Sequence, residues 1–137
     1  MKSSLVFLDT SYAVALTVPA DEHHEKALLL ADQIIADGAR LTTTRAVIVE
    51  IGNFMAKRRH RQAAVRLLSS FEIDSEIEIV PDSEDLHARA FALYRARPDK
   101  EWGMTDCISF IVMQDAGLTV ALTTDEHLEQ AGFVKLL

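Results

Sequence analysis

Short apolar runs recur along this chain, and segments with helical spacing separate them. Leu5 to Leu8, Leu41 to Thr44, Ile77 to Val80, Thr119 to Thr123 and Phe133 to Leu137 read as strands, bounded by turn-forming or capping residues. Between them lie helical patterns from Asp21 to Asp37, Ala46 to Lys57, Glu84 to Arg97, Met104 to Gln114 and Asp125 to Gln130. Ala27, Leu28, Ala31, Ile34 and Ile35 form one stripe of the first, and Gly38 follows as a C-cap. Gly117 ends the Met104 helix in the same way, and Pro98-Asp99-Lys100-Glu101 is a loop. Strands that alternate with helices are expected to pair in parallel, because each crossover returns the chain to the same end of the sheet. The expected fold is an α/β protein: a three-layer α/β/α sandwich with a mostly parallel central sheet. With 137 residues and half of them apolar, a single domain spanning 1–137 is expected.

Four acids fall where one element gives way to the next or interrupts an apolar surface. Asp9 ends the first strand, Glu50 lies among Ile48, Val49 and Ile51, Asp106 opens the Met104 helix, and Asp125 ends the strand at Thr119 to Thr124. In parallel α/β sheets the functional crevice opens at the carboxyl ends of the strands, where Asp9 and Asp125 stand. Each acid also has an ordinary reading. Asp9, Asp106 and Asp125 could be helix N-caps, and Glu50 a solvated helix residue. Taken together, four carboxylates repel one another, and a divalent cation is the natural compensation. Hard oxygen donors without a histidine or cysteine set favour Mg²⁺ or Mn²⁺ over zinc. Such ions activate water and neutralise charge in phosphodiester cleavage.

Other chemistries fail on spacing. His24-Glu25 superficially matches the first two positions of a zinc-protease helix, but Leu28 stands where the second histidine is required, which rules that motif out. Ser11 occupies the place of the second aspartate of haloacid-dehalogenase phosphatases, and no acidic pair precedes Asp9 as in receiver domains. No glycine-rich phosphate loop and no G-x-S-x-G elbow is present. Cys107 is the single cysteine, which excludes an internal disulfide; beside Asp106 it reads as a small buried hydrophobe. No apolar run approaches membrane-spanning length, and Met1-Lys2-Ser3-Ser4 leads into the first strand without a cleavage site, so a cytoplasmic location is expected.

A net charge of −7 argues against general attraction to nucleic acid. The cations are unevenly placed, however. Lys57-Arg58-Arg59-His60-Arg61, with Arg66, lies at the joint between two helices. One reading is a solvated helix end whose cations complement the dipole; the other is an RNA backbone track. Lys57, expected on the same flank as Glu50 and Asn53, and Arg45, before the Glu50 helix, are the candidate RNA contacts. Trp102 could stack on a base but is expected to pack in a core or loop, and His127 is assigned a surface or packing role. Glu126 could be a reserve ligand.

Phe7-Leu8-Asp9-Thr10-Ser11, Val49-Glu50-Ile51 with Asn53, Trp102 to Cys107, and Thr123-Thr124-Asp125-Glu126-His127 with Ala131-Gly132-Phe133 resemble the successive motifs of PIN domains, especially VapC-type toxins. The resemblance covers essentially the whole chain. It implies a Mg²⁺- or Mn²⁺-dependent endoribonuclease acting on single-stranded RNA, with Asp9, Glu50, Asp106 and Asp125 as catalytic and metal-binding acids. Thr10 or Ser11, by similarity, would orient a ligand or water. A homodimer and a small antitoxin partner are implied as well. Gly103 stands where many relatives carry serine, and Leu128 replaces a frequent phenylalanine. The open alternatives are a binding module without catalysis, a housekeeping RNA-processing enzyme, and a DNA-directed nuclease.

Overall fold

The computed structural model describes residues 4–137, so the reading of Met1 to Ser3 lies outside the described residues. Five strands alternate with seven helices: β1 (Leu5–Leu8), α1 (Thr10–Thr17), α2 (His24–Asp37), β2 (Arg40–Thr44), α3 (Arg45–Phe54), α4 (Arg58–Ile73), β3 (Ile77–Val80), α5 (Glu84–Ala96), α6 (Met104–Ala116), β4 (Val120–Leu122), α7 (Glu126–Gln130) and β5 (Val134–Lys135). The sheet order is β3-β2-β1-β4-β5, and every pairing is parallel. The expected sheet is therefore present, and wholly parallel among the described residues.

Strand parity separates the two helical layers. Leu41 and Ile77 line a cavity together with residues of α1, α2 and α4, whereas their neighbours Thr42 and Glu78 face one bounded by α5 and α6. Alternate side chains of a strand point to opposite faces, so the sheet is covered on both. Phe7, Leu8, Val47, Ile51, Phe110, Met113 and Leu122 are fully buried between these layers. Gly38 and Gly117 end α2 and α6 in the left-handed conformation, with φ of 63° and 68°. No helix among the described residues is long and apolar enough to cross a membrane.

The boundary between α3 and α4 differs from the sequence expectation. The helix expected to reach Lys57 stops at Phe54, and Lys57 becomes the N-cap of α4, so it does not share the flank of Glu50 and Asn53. Arg58, Arg59 and Arg61 occupy the first turn of α4. There they oppose the positive end of the helix dipole rather than complementing it. The exception is Arg61, whose Nη2 donates to the Ala56 carbonyl just past α3, 2.8 Å away.

Candidate active site

β1 is the point where the strand order reverses, since the chain moves from it to β2 on one side and β4 lies on the other. Loops diverge at such a point and leave a crevice beyond the carboxyl ends. Asp9 follows β1 directly, with its backbone N–H donating to the Leu122 carbonyl of β4 at 3.2 Å. It occupies the N-cap of α1, yet its carboxylate makes no capping bond. The side chain is thus left for another purpose.

Asp9 is 5% exposed, and its Oδ2 accepts a 2.7 Å hydrogen bond from Thr123 Oγ1. Burial pushes its pKa up to about 6; bonds from Thr123 and the Thr10 backbone oppose the rise, and the charges of Asp106 and Asp125 add to it. Thr123 is the hub of this corner. Its single proton goes to Asp9, so its oxygen accepts from Ser11 Oγ at 3.0 Å and from the Asp125 N–H at 2.9 Å. Ser11 Oγ in turn accepts from the Thr124 N–H at 2.9 Å. These bonds clamp the loop after β4 against the start of α1.

Asp106 is the third residue of α6, not its N-cap. Its Oδ2 reaches back to accept from the Gly103 N–H at 3.0 Å, and contacts His127 Nδ1 at 2.9 Å. Asp125 caps α7 by accepting from the His127 N–H at 2.9 Å, and its Oδ1 lies 3.5 Å from His127 Nδ1. Ligand atoms of Asp106, Asp125 and His127 all fall within 4.8 Å of one another. Burial lowers the His127 pKa, but the bond to Asp106 and the charges of Asp125, Asp106 and Glu101 outweigh it, so the net shift is upward. The surface or packing role expected for His127 is corrected: its ring sits between two of the four acids. The adjacency Asp125-Glu126-His127 was visible in sequence, but its alignment with Asp106 depends on how α6 meets α7.

Asp9 lies outside the trio of Asp106, Asp125 and His127, and Glu50 stands apart from it as well. Its Oε1 accepts from Thr10 Oγ1, which places it beside the residue following Asp9. Thr10 therefore holds Glu50, and Ser11 holds the β4 loop. Arg45, expected as an RNA contact, is the first residue of α3 and forms a 2.6 Å ion pair with Glu72. Trp102 is buried, edge-on to Phe110 and bonded to Gln130, as its packing reading required. Cys107 is fully buried, and burial, with Asp106 adding, raises its thiol pKa.

The donor chemistry suits a divalent cation. Among the described residues no lysine or arginine forms an ion pair with Asp9, Glu50, Asp106 or Asp125, and the only ion-pair partner at the cluster is His127. Burial is the main cause of the raised Asp9 pKa, and the charges of Asp106 and Asp125 add to it. The oxygens of Asp9, Asp106 and Asp125 are hard donors of the kind Mg²⁺ and Mn²⁺ take.

Comparison with known proteins follows the same lines. A model of the PIN domain matches residues 6–134. Proteins described as 23S rRNA-specific endonuclease VapC20, from Mycobacterium tuberculosis strains CDC 1551 / Oshkosh and ATCC 25618 / H37Rv, are each 25% identical over 132 residues, covering 96% of this chain and 98% of theirs. The crystal structure of Mycobacterium tuberculosis VapC20, described as a Sarcin-Ricin loop cleaving toxin, superimposes with a TM-score of 0.85 at 25% identity, covering 96% and 97% of the two chains. VapBC2 from Rickettsia felis, bound to a DNA fragment from their promoter, gives 0.66 at 15% identity, with 96% of each chain covered. PAE2754 from Pyrobaculum aerophilum gives 0.58 at 20%, covering 99% of this chain and 92% of that one. These last two share the fold. From its fold, its motif order and this match over nearly its whole length, the chain belongs to the PIN domain family.

Proposed function

We propose that this protein is a metal-dependent endoribonuclease that cleaves single-stranded RNA, and that it is the toxin of a type II toxin–antitoxin pair. The observation that carries the chemistry is the buried Asp9 carboxylate at the carboxyl edge of the sheet, paired with no lysine or arginine among the described residues and raised further by the charges of Asp106 and Asp125. Family membership and the similarity to VapC20 support the substrate class and the toxin role. Asp106 and Asp125, which already lie together, and Asp9, whose pKa their charges raise, would hold Mg²⁺ or Mn²⁺, with Glu50 bonded to Thr10, the residue after Asp9. Bound there, the ion would acidify a water and neutralise charge developing on the cleaved phosphate. The residues supply the rest. Thr123 fixes the Asp9 carboxylate, Gly103 fixes that of Asp106, and Thr10 orients Glu50. Ser11 keeps the β4 loop, and hence Asp125, in register with α1. A small antitoxin, a homodimer and a cytoplasmic location complete the reading.

The test is cleavage by rigorously purified protein of single-stranded RNA, ribosomal RNA and single-stranded DNA, with Mg²⁺, Mn²⁺ or chelator. RNA cleavage that needs a divalent ion and is lost in Asp9→Asn and Asp106→Asn is the expected result. Cleavage unchanged in both variants, or no cleavage of any RNA in the presence of either ion, overturns the enzyme reading.

A further inference from the structure

We infer that Phe54 and the cationic joint after it form a binding track for the substrate: an unpaired base stacks on the Phe54 ring while adjoining phosphates meet Lys57 and Arg58. This rests on the ribonuclease reading above and adds to it where, and by which side chains, the strand is held.

The acidic crevice repels a polyanion, and the whole chain carries −7. A strand of RNA therefore needs a local concentration of cations near the site. Lys57, Arg58, Arg59, Arg61 and Arg66 supply one, from a chain with 14 lysines and arginines in all. Among the described residues none of the five forms an ion pair. Lys57 at the N-cap and Arg58, Arg59 and Arg61 on the first turn of α4, which has no acidic residue, are held against the helix dipole. Helix stability does not account for them. Arg61 is engaged by the Ala56 carbonyl and Arg59 by His60, which leaves Lys57, Arg58 and Arg66 exposed, the first two being those that follow Phe54 within four residues.

Phe54 precedes this patch in the chain. It is the last residue of α3, one helical turn after Glu50 and therefore on the same flank. At 68% it is more exposed than any other described aromatic. Phe91 and Tyr94 are exposed too, but they stack on each other, and Arg95 lies over Phe91. Phe54 has no aromatic or cationic partner among the described residues. An open aromatic face flanked by unpaired cations is the combination that holds single-stranded nucleic acid with little regard to sequence. A duplex, whose bases are stacked already, gains nothing from the ring.

The full-length protein is tested in chelator, where binding is read without cleavage, using a fluorescent single-stranded RNA of about ten nucleotides. Phe54→Ala is expected to weaken binding about tenfold, and leave binding of the same sequence as a duplex unchanged. Phe54→Trp retains affinity, and its indole is quenched by RNA, while the buried Trp102 of the unaltered protein gives no quenching. The double variant Lys57→Gln and Arg58→Gln lowers the slope of log affinity against log salt by about 1.4, on the order of 0.7 per phosphate contact. Circular dichroism confirms that each variant is folded. Unchanged RNA affinity in Phe54→Ala, or an unchanged salt slope in the double variant, overturns the inference. So does a change in mass by light scattering with RNA affinity intact, which would assign the patch to a protein contact. Failure of the nuclease reading would appear separately, as absent cleavage with divalent ions.

Discussion

A carboxylate buried without a cation makes folding sensitive to pH, and Asp9 gives that sensitivity a definite sign. Its pKa in the folded protein is about 6, against 3.8 for the exposed group, so between these values the native state holds a proton that the unfolded chain has released. Stability then falls as pH rises through that interval, by about 3 kcal/mol at most. In chelator, Asp9→Asn is expected to be more stable than the unaltered protein at pH 8 and to lose that advantage below about pH 4. Urea unfolding across this range checks it; equal stability of the two proteins at pH 8 contradicts the assignment. Thr123 is a second residue of this kind. Thr123→Val strips a buried hydroxyl of three partners and is expected to cost about 1–3 kcal/mol, with cleavage reduced, whereas Thr123→Ser keeps both near their original values. The acids themselves were legible in sequence because each ends a strand, opens a helix or interrupts an apolar surface. Thr123 was not singled out, and His127 was assigned to the surface, since a hydroxyl or imidazole becomes a site residue only through what the fold sets against it.

Elements were legible in proportion to the strength of their punctuation. Gly38 and Gly117 marked the ends of α2 and α6, and both adopt the conformation that makes glycine the residue of choice there. No atom lies within 4 Å of where a Gly117 Cβ would stand, so Gly117→Ala tests backbone conformation alone. It is expected to destabilise the protein by about 1–2 kcal/mol, read from the urea midpoint. The joint between α3 and α4 carried no such mark. Its polar and charged residues are compatible with either helix, and the C-cap of α3 is Met55, so the boundary was set three residues too late. That shift moved Lys57 off the Glu50 flank and reversed the meaning of the cations. Arg45 changes meaning too: its pair with Glu72 ties the start of α3 to the end of α4. Arg45→Gln is accordingly expected to leave the salt dependence of RNA binding as it was, in contrast to substitutions at Lys57 and Arg58.

At the scale of the molecule, alternation of strand and helix was enough to give a parallel sheet in a three-layer sandwich, because the crossover rule leaves few other arrangements. The order of the strands was not readable. Nothing local in Val120 to Leu122 says that it pairs with β1 rather than extending the sheet beyond β3. Yet this pairing is what joins Asp9 to Asp125. Because the cluster gathers charge from distant segments, ligand binding there should support the fold as a whole. A divalent ion at about 100 times its dissociation constant is expected to add about 2.7 kcal/mol to unfolding stability. Asp106→Asn should show a much smaller gain in a Mg²⁺ titration followed by thermal melting.

The position of β4 also bears on synthesis. A ribosome that has polymerised the chain as far as Leu118 has already made Asp9, Glu50 and Asp106, but not the strand that completes β1 on its second side or the loop that delivers Asp125. A product that stops before β4 therefore lacks both Asp125 and the strand that flanks β1 on that side, and it is expected to show no cleavage when a truncation at Leu118 is assayed beside the full chain.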